Sequence, residues 1–205
     1  MSDVTRSMEA TTARAASWAA RHRRTLPNGW WGMALLIATE ASLFGTLLAT
    51  YFYLRFRAAQ WPPAGIAAPS VTWPLVLTGV LVVTGIPLWL AVRAVRAGRR
   101  GPAWLLLLGA TAVQIAYLAI QIHLFTDDLS KFTPAGSAYG SIYFTLLGAH
   151  HFHVLVGILL ELWLLLRLAS GLTNYRVVFV QAVALYWYFV SFMAILVVAA
   201  QISPS

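Results

Sequence analysis

Residues 141–166 read SIYFTLLGAHHFHVLVGILLELWLLL, an apolar run whose one charged side chain is Glu161. A run of about 20 such residues crosses the roughly 30 Å hydrocarbon core of a bilayer as a helix. The run also carries His150, His151 and His153. Ionisable groups inside a span cost about 2.5–3.5 kcal/mol each on insertion scales, and they usually face a protein interior. The stretch therefore predicts a transmembrane helix whose polar side is buried against other helices.

Composition extends this interpretation to the whole chain of 205 residues. Hydrophobic residues make up 60% and charged residues only 10%, against about 25% charged in soluble domains. Five apolar runs are long enough to span a membrane, approximately residues 29–53, 71–92, 103–124, 141–166 and 177–201. The predicted fold class is an all-α integral membrane protein, a bundle of five transmembrane helices that forms one domain over residues 29–205.

The arginines predict how the bundle is oriented. Residues 1–28 form a basic arm without the apolar core of a secretory signal, so we expect it to be retained, either as a mobile tail or lying on the membrane surface. This arm and the loops after the second and fourth runs carry eleven arginines, whereas the opposite side carries three basic residues. The positive-inside rule then places the N-terminus in the cytoplasm and the C-terminus outside. Because these arginines flank spans, we expect no nucleic-acid partner.

Helical periodicity predicts a polar stripe on the fourth span. His150 and Glu161 project within about 20° of each other, and His153 lies about 60° to one side. The stripe has two interpretations, hydrogen bonds between helices or ligation of a metal or haem. A catalytic metal needs three or four convergent ligands, and the sequence has no cysteine, so we predict no metal on this chain. Gly148 and Gly157 are predicted to permit close helix approach.

Glu40 is the second ionisable group inside a span. It is either a structural carboxylic acid bonded to a neighbouring helix or a proton-exchangeable group. In the third span, polar side chains are predicted to join helices: Gln114, Tyr117, Gln121 and His123. A freestanding proton or solute transporter using Glu40 and Glu161 stays an alternative, although the chain has no internal repeat of the kind transporters usually show.

Three segments resemble subunit III of the haem-copper terminal oxidases, the cytochrome c and quinol oxidases. Gly32-Met33 leading to Glu40 and Phe44 resembles that family's helix with a buried, carbodiimide-reactive glutamate, and Glu40 is that position. The run from Tyr139-Gly140-Ser141 to Gly157 resembles its penultimate helix, Y-G-S-x-F-F-x-x-T-G-F-H-G-x-H-V-x-x-G. The run Tyr186-Trp187-Tyr188-Phe189-Val190 resembles its last helix. The resemblance as a whole extends over nearly everything after residue 28, and these three segments are its most recognisable parts.

The sequence also departs from that pattern. The family's last helix has His, Asp and Trp where this chain has Tyr188, Ser191 and Ala194. Leu124 replaces a glutamate in the third span, and His151 replaces a glycine in the fourth. These departures indicate a divergent branch, either an alternative oxidase or the subunit III-like protein that accompanies nitric oxide reductases.

The resemblance implies a short, five-helix bacterial subunit III in the plasma membrane, without redox centres or a catalytic centre of its own. Its implied partners are the catalytic subunit I, which holds haem and copper, the copper-bearing subunit II, and membrane phospholipid. Its implied role is to stabilise subunit I and support proton uptake during electron transfer from cytochrome c, or from quinol, to oxygen. We expect Glu40, Glu161, His150 and His153 to be its critical polar residues. An enzyme that binds metal through the fourth-span histidines is a further alternative.

Overall fold

The computed structural model describes residues 28–67 and 72–202, and all regular elements in these ranges are helices. The helices are α1 (Asn28–Arg57), α2 (Thr72–Val83), α3 (Gly85–Arg96), α4 (Arg100–Lys131), α5 (Ala138–Ala169) and α6 (Asn174–Ile202). Since α2 and α3 together form one span, five helical segments are long and apolar enough to cross a membrane. The predicted fold class, an all-α membrane protein with five transmembrane helices, is thus confirmed. The predicted arm lies outside the described residues except for Asn28, which begins α1.

The helices run past the predicted ends of the spans, most clearly in α4, which ends at Lys131 and not at Leu124. The extra turns are polar. Lys131 Nζ lies 2.6 Å from a carboxylate oxygen of Asp127 and 3.2 Å from one of Asp128. Pairs three and four residues apart stabilise a helix, so the backbone stays helical after the apolar run has stopped.

The second span is interrupted at Thr84, three residues before Pro87. Proline has no backbone N–H and its ring crowds the preceding turn, so an interruption just before it is expected. The hydroxyl of Thr84 donates a hydrogen bond to the carbonyl oxygen of Leu81 at 2.6 Å. This bond satisfies the polar side chain at the break, which is buried.

The last helix lies at the centre of the bundle. Helix α6 packs against α1, α2, α3 and α5, whereas α4 packs against α2, α3 and α5. Within the described chain, α1 contacts only α5 and α6, and Phe44 and Tyr51 are its fully buried side chains. Helix α1 is therefore the outermost element, and the side chains on its inner face meet α5 and α6.

Candidate functional site

A carboxyl and an imidazole meet where α1 crosses α5. Oε2 of Glu40 lies 2.8 Å from Nε2 of His153, and the two side chains are 27% and 9% exposed. Phe44, one helical turn after Glu40, places its ring edge-on against the imidazole with 5.0 Å between ring centroids. Spacing of four residues puts Glu40 and Phe44 on one face of α1, so both contact the same ring.

The second imidazole nitrogen of His153, Nδ1, determines how many protons lie between His153 and Glu40. Nδ1 of His153 lies 2.6 Å from the carbonyl oxygen of Ala149, one turn earlier on α5. A carbonyl only accepts, so Nδ1 must carry a proton. Nε2 then either accepts a hydrogen bond from protonated Glu40 or donates one to its carboxylate. In both states one proton lies between Glu40 and His153, and the hydrogen bond can be kept as that proton moves.

Helix α6 supports the pair from the other side. The hydroxyl of Tyr186 donates to the backbone carbonyl of His153 at 3.0 Å, and Tyr186 is 2% exposed. Phe189, one turn further along α6, packs against Phe44 with 6.3 Å between ring centroids. Three helices thus converge on His153, and the imidazole is fixed through its ring and its backbone.

His150 points to a different neighbour. Its Nε2 lies 3.3 Å from the hydroxyl of Tyr117 on α4, and that oxygen also accepts a bond from Nε2 of Gln121 at 3.0 Å. Because the tyrosine oxygen accepts from Gln121, its own proton is free to be donated to His150. All three side chains are buried. This chain of bonds joins α4 to α5.

Glu161 has the lowest exposed fraction of the ionisable groups in the described residues, 0%. Its carboxyl lies beside Thr111 and Gln114 of α4 and Trp187 of α6. On α4 the buried polar side chains follow one face: Thr111, Gln114, Tyr117 and Gln121. His123 differs from our expectation because it is exposed. It comes two residues after Gln121, which is about 200° around a helix.

The predicted stripe is therefore divided among three neighbouring helices. His153 pairs with α1, His150 pairs with α4, and Glu161 lies between α4 and α6. The ring nitrogens already used for these bonds are not directed at one point. Among residues 28–67 and 72–202, no group of three or more histidine, cysteine, aspartate or glutamate side chains could hold a metal ion.

The two glycines singled out in the sequence lie in different surroundings. A Cβ atom at Gly157 would be 2.8 Å from Cζ2 of Trp187, closer than carbon atoms pack, so the indole rests directly on the α5 backbone. Gly148 differs from the prediction. A Cβ atom there would meet nothing within 4 Å among the described residues, so no helix in that part of the chain approaches it closely.

Some contacts near the ends of the helices had not been expected. The hydroxyl of Tyr143 on α5 donates to Asp128 on α4 at 2.7 Å. The indole N–H of Trp61 donates to the hydroxyl of Tyr51 at 3.1 Å. Asp128 lies beyond the predicted end of its span, so hydropathy gave no reason to pair it with a tyrosine.

Tyr188, a departure from the resembled pattern, is 40% exposed and packs beside Gly85.

These features define a class, a helical membrane protein of five spans whose helices are joined by buried polar pairs. The sequence matches the family model for cytochrome c oxidase subunit III over residues 7–200. The chain belongs to the cytochrome c oxidase subunit III family.

Individual relatives agree with this assignment. A cytochrome c oxidase subunit 3 of Pisaster ochraceus is 31% identical over 186 residues, 86% of this chain and 70% of the relative. One from Paracentrotus lividus is 30% identical over 187 residues, with the same coverage. A cytochrome bo(3) ubiquinol oxidase subunit 3 of Pseudomonas aeruginosa is 32% identical over 180 residues, 83% of this chain and 82% of the relative.

Proposed function

We propose that the protein is an accessory subunit of a bacterial respiratory haem-copper oxidase, in the plasma membrane, and that it carries no redox centre. In this proposal it packs against the catalytic subunit I and the copper-bearing subunit II and binds membrane phospholipid. It stabilises subunit I and supports proton uptake while electrons pass from cytochrome c to oxygen. The oxidase subunits that it resembles support this assignment at the level of the complex.

The pair formed by Glu40 and His153 is the main structural support for the proton-uptake role. One proton lies between the two groups, and Nδ1 of His153 can stay bonded to Ala149 whichever group carries that proton. The glutamate is 27% exposed, so it lies at the surface of this chain and not in its centre. A group that can exchange a proton at the boundary of the bundle is suited to pass protons to or from a neighbouring subunit.

The shape of the bundle supports the stabilising and lipid-binding roles. Large apolar side chains on α1 are exposed, among them Leu35, Leu36 and Leu43. Such a surface requires lipid or another apolar protein surface around it. We therefore place phospholipid and the partner subunits against the outer helices.

The proposal places haem and copper on the partner subunits. Both ring nitrogens of His153 are used, one by Glu40 and one by Ala149, and Nε2 of His150 is used by Tyr117. An imidazole that ligates a metal needs one nitrogen free to coordinate it. Nδ1 of His150 and Nε2 of His151 have no hydrogen-bonding partner, but among residues 28–67 and 72–202 they do not join a third histidine, cysteine, aspartate or glutamate in a group that could hold a metal ion.

The basic residues support a cytoplasmic N-terminus. Arginines gather at the end of the bundle formed by the C-termini of α3 and α5 and the N-termini of α4 and α6. There Arg93 stacks over Trp89, Arg167 stacks over Trp163, and Arg176 donates to the carbonyl of Gly171 at 2.6 Å. Arginines beside interfacial tryptophans are typical of a cytoplasmic membrane boundary.

The electron donor has a second candidate. The relative in Pseudomonas aeruginosa is named as part of a ubiquinol oxidase, and its identity to this chain is similar to that of the relatives named for cytochrome c. Quinol is thus the alternative donor. The donor follows from the partner subunits and leaves the role of this chain unchanged.

The test is to purify the complex from cells that lack this chain, from cells that carry it, and from cells that carry Glu40→Gln. Oxygen consumption is followed from the first turnovers until activity is lost. We expect the initial rates to be similar and the activity to fall sooner without the chain. Glu40→Gln is expected to assemble normally and to shorten the active lifetime as well. A lifetime that is the same in all three preparations would overturn the proton-uptake role.

A further inference from the structure

The second cluster of polar side chains lies around Glu161, separate from the pair of Glu40 and His153. Glu161 comes from α5, Gln114 from α4 and Trp187 from α6, and their exposed fractions are 0%, 0% and 1%. Thr111 borders the same carboxyl, but its hydroxyl already donates to the carbonyl of Leu107 at 2.9 Å. Three helices therefore enclose a set of polar groups that no solvent on the outside of the bundle can reach.

The side chains of this cluster lie close to the Glu161 carboxyl, but their polar atoms do not reach one another with the length and angle of a hydrogen bond. Within residues 28–67 and 72–202, five of them have no hydrogen-bonding partner: both carboxyl oxygens of Glu161, the amide oxygen and nitrogen of Gln114, and Nε1 of Trp187. Buried polar groups in native proteins are nearly always bonded, to protein or to ordered water. Unbonded donors and acceptors gathered at one place indicate a ligand between them.

Gly157 keeps the indole in place. A Cβ atom there would be 2.8 Å from Cζ2 and 3.0 Å from Cε2 of Trp187, so the ring lies flush against the α5 backbone one turn before Glu161. Because the ring is held by the backbone, its N–H cannot turn away to find another acceptor. The indole is thus a fixed donor at the edge of the cluster.

We propose that Glu161, Gln114 and Trp187 bind internal water. One water molecule can accept from the indole N–H and the Gln114 amide and donate to the Glu161 carboxyl and the Gln114 carbonyl, which is the full set of bonds that a buried water makes. A metal cation would be repelled by the N–H groups of the indole and the amide, and an anion would be repelled by the carboxyl oxygens. A lipid headgroup would need an opening, whereas these side chains are fully enclosed. The site does not depend on which oxidase the chain belongs to.

The direct test is a cryo-electron-microscopy map of the protein in its complex, at a resolution that shows ordered water. We expect density for water within hydrogen-bonding distance of both Glu161 and Gln114. Direct bonding of the Glu161 carboxyl to Gln114 or Trp187, with no density between them, would overturn the proposal. Elongated or branched density would also overturn it, because the ligand would then be larger than water.

A set of variants provides a second measurement. Glu161→Gln keeps the capacity to bond and should keep the water density, whereas Glu161→Leu should lose it. Glu161→Leu should also lower the thermal unfolding midpoint of the complex, because Gln114 and Trp187 keep unpaired groups. Adding Gln114→Leu should recover part of that loss. If the two substitutions are additive, the double variant will be less stable than Glu161→Leu by as much as Gln114→Leu alone lowers stability. That result would contradict a shared water.

Discussion

Nε2 of His153 lies 2.8 Å from Oε2 of Glu40, across 113 positions of sequence. This bond ties α1, the outermost helix, to α5. It also leaves one proton between the two side chains, since Nδ1 of His153 is committed to the carbonyl of Ala149. The same contact can therefore serve packing and proton exchange, and substitutions can separate the two.

Replacing Glu40 by leucine or by glutamine separates these roles. Glu40→Leu leaves Nε2 of His153 without its partner, and we expect a loss of about 1–3 kcal/mol in the free energy of unfolding. Glu40→Gln can still donate an amide N–H to Nε2, so its stability is expected to stay within about 1 kcal/mol of the unchanged protein. Denaturant unfolding of the detergent-solubilised protein measures both. Equal losses in the two variants would show that the hydrogen bond does not stabilise α1 against α5.

Gly157 and Gly148 form a matched pair of tests on one helix. Gly157→Ala places a methyl group 2.8 Å from the Trp187 ring, and such overpacking costs about 1–3 kcal/mol. Gly148→Ala meets no described atom, so it should gain about 0.5–1 kcal/mol from helix propensity. Thermal unfolding of both variants checks the difference. Stability that is unchanged in Gly157→Ala would contradict the close contact between α5 and α6.

The single hydroxyl of Tyr117 forms hydrogen bonds with two side chains. Tyr117→Phe removes the bonds to His150 and to Gln121 and leaves both buried side chains short of a partner. We expect a loss of about 1–3 kcal/mol in unfolding free energy. Tyr175→Phe is the control, because Tyr175 is 73% exposed and should change stability by less than about 0.5 kcal/mol. Equal effects in the two variants would mean that the Tyr117 bonds do not join α4 to α5.

The orientation can be tested with single cysteines, since the sequence contains none. Ala135→Cys lies in the turn between α4 and α5, and Ser170→Cys lies at the opposite end of α5; both positions are exposed. With a cytoplasmic N-terminus, a membrane-impermeant maleimide added to intact cells should label Ala135→Cys alone. Labelling of Ser170→Cys alone would show that the bundle has the reverse orientation.

The spans were predictable because a transmembrane helix needs apolar residues along most of its length, which the sequence shows directly. Five apolar runs gave five spans, and their centres agree with the structure. The ends were less predictable, since polar turns such as Asp127 to Lys131 are stabilised by ion pairs and not by lipid. The interruption at Thr84 followed from Pro87, whose ring and missing N–H act locally.

The pairing of the polar groups was not predictable from periodicity alone. A helical repeat placed His150 and Glu161 on one side of α5, yet they meet different side chains. Both face α4, but eleven residues separate them by about 16 Å along the helix axis, whereas His153, about 60° around α5, meets α1 instead. The resemblance identified Glu40 and His153 as notable, but their contact depends on how α1 crosses α5.

The protein's membership of a haem-copper oxidase complex can be measured in its native membrane. The most direct measurement is to isolate the tagged chain from its own membrane in mild detergent, record the optical spectrum, and identify the accompanying chains by mass spectrometry. We predict haem absorbance together with a catalytic oxidase subunit and a copper-bearing subunit, in fixed proportion to this chain. A colourless chain that is isolated without those subunits would contradict it.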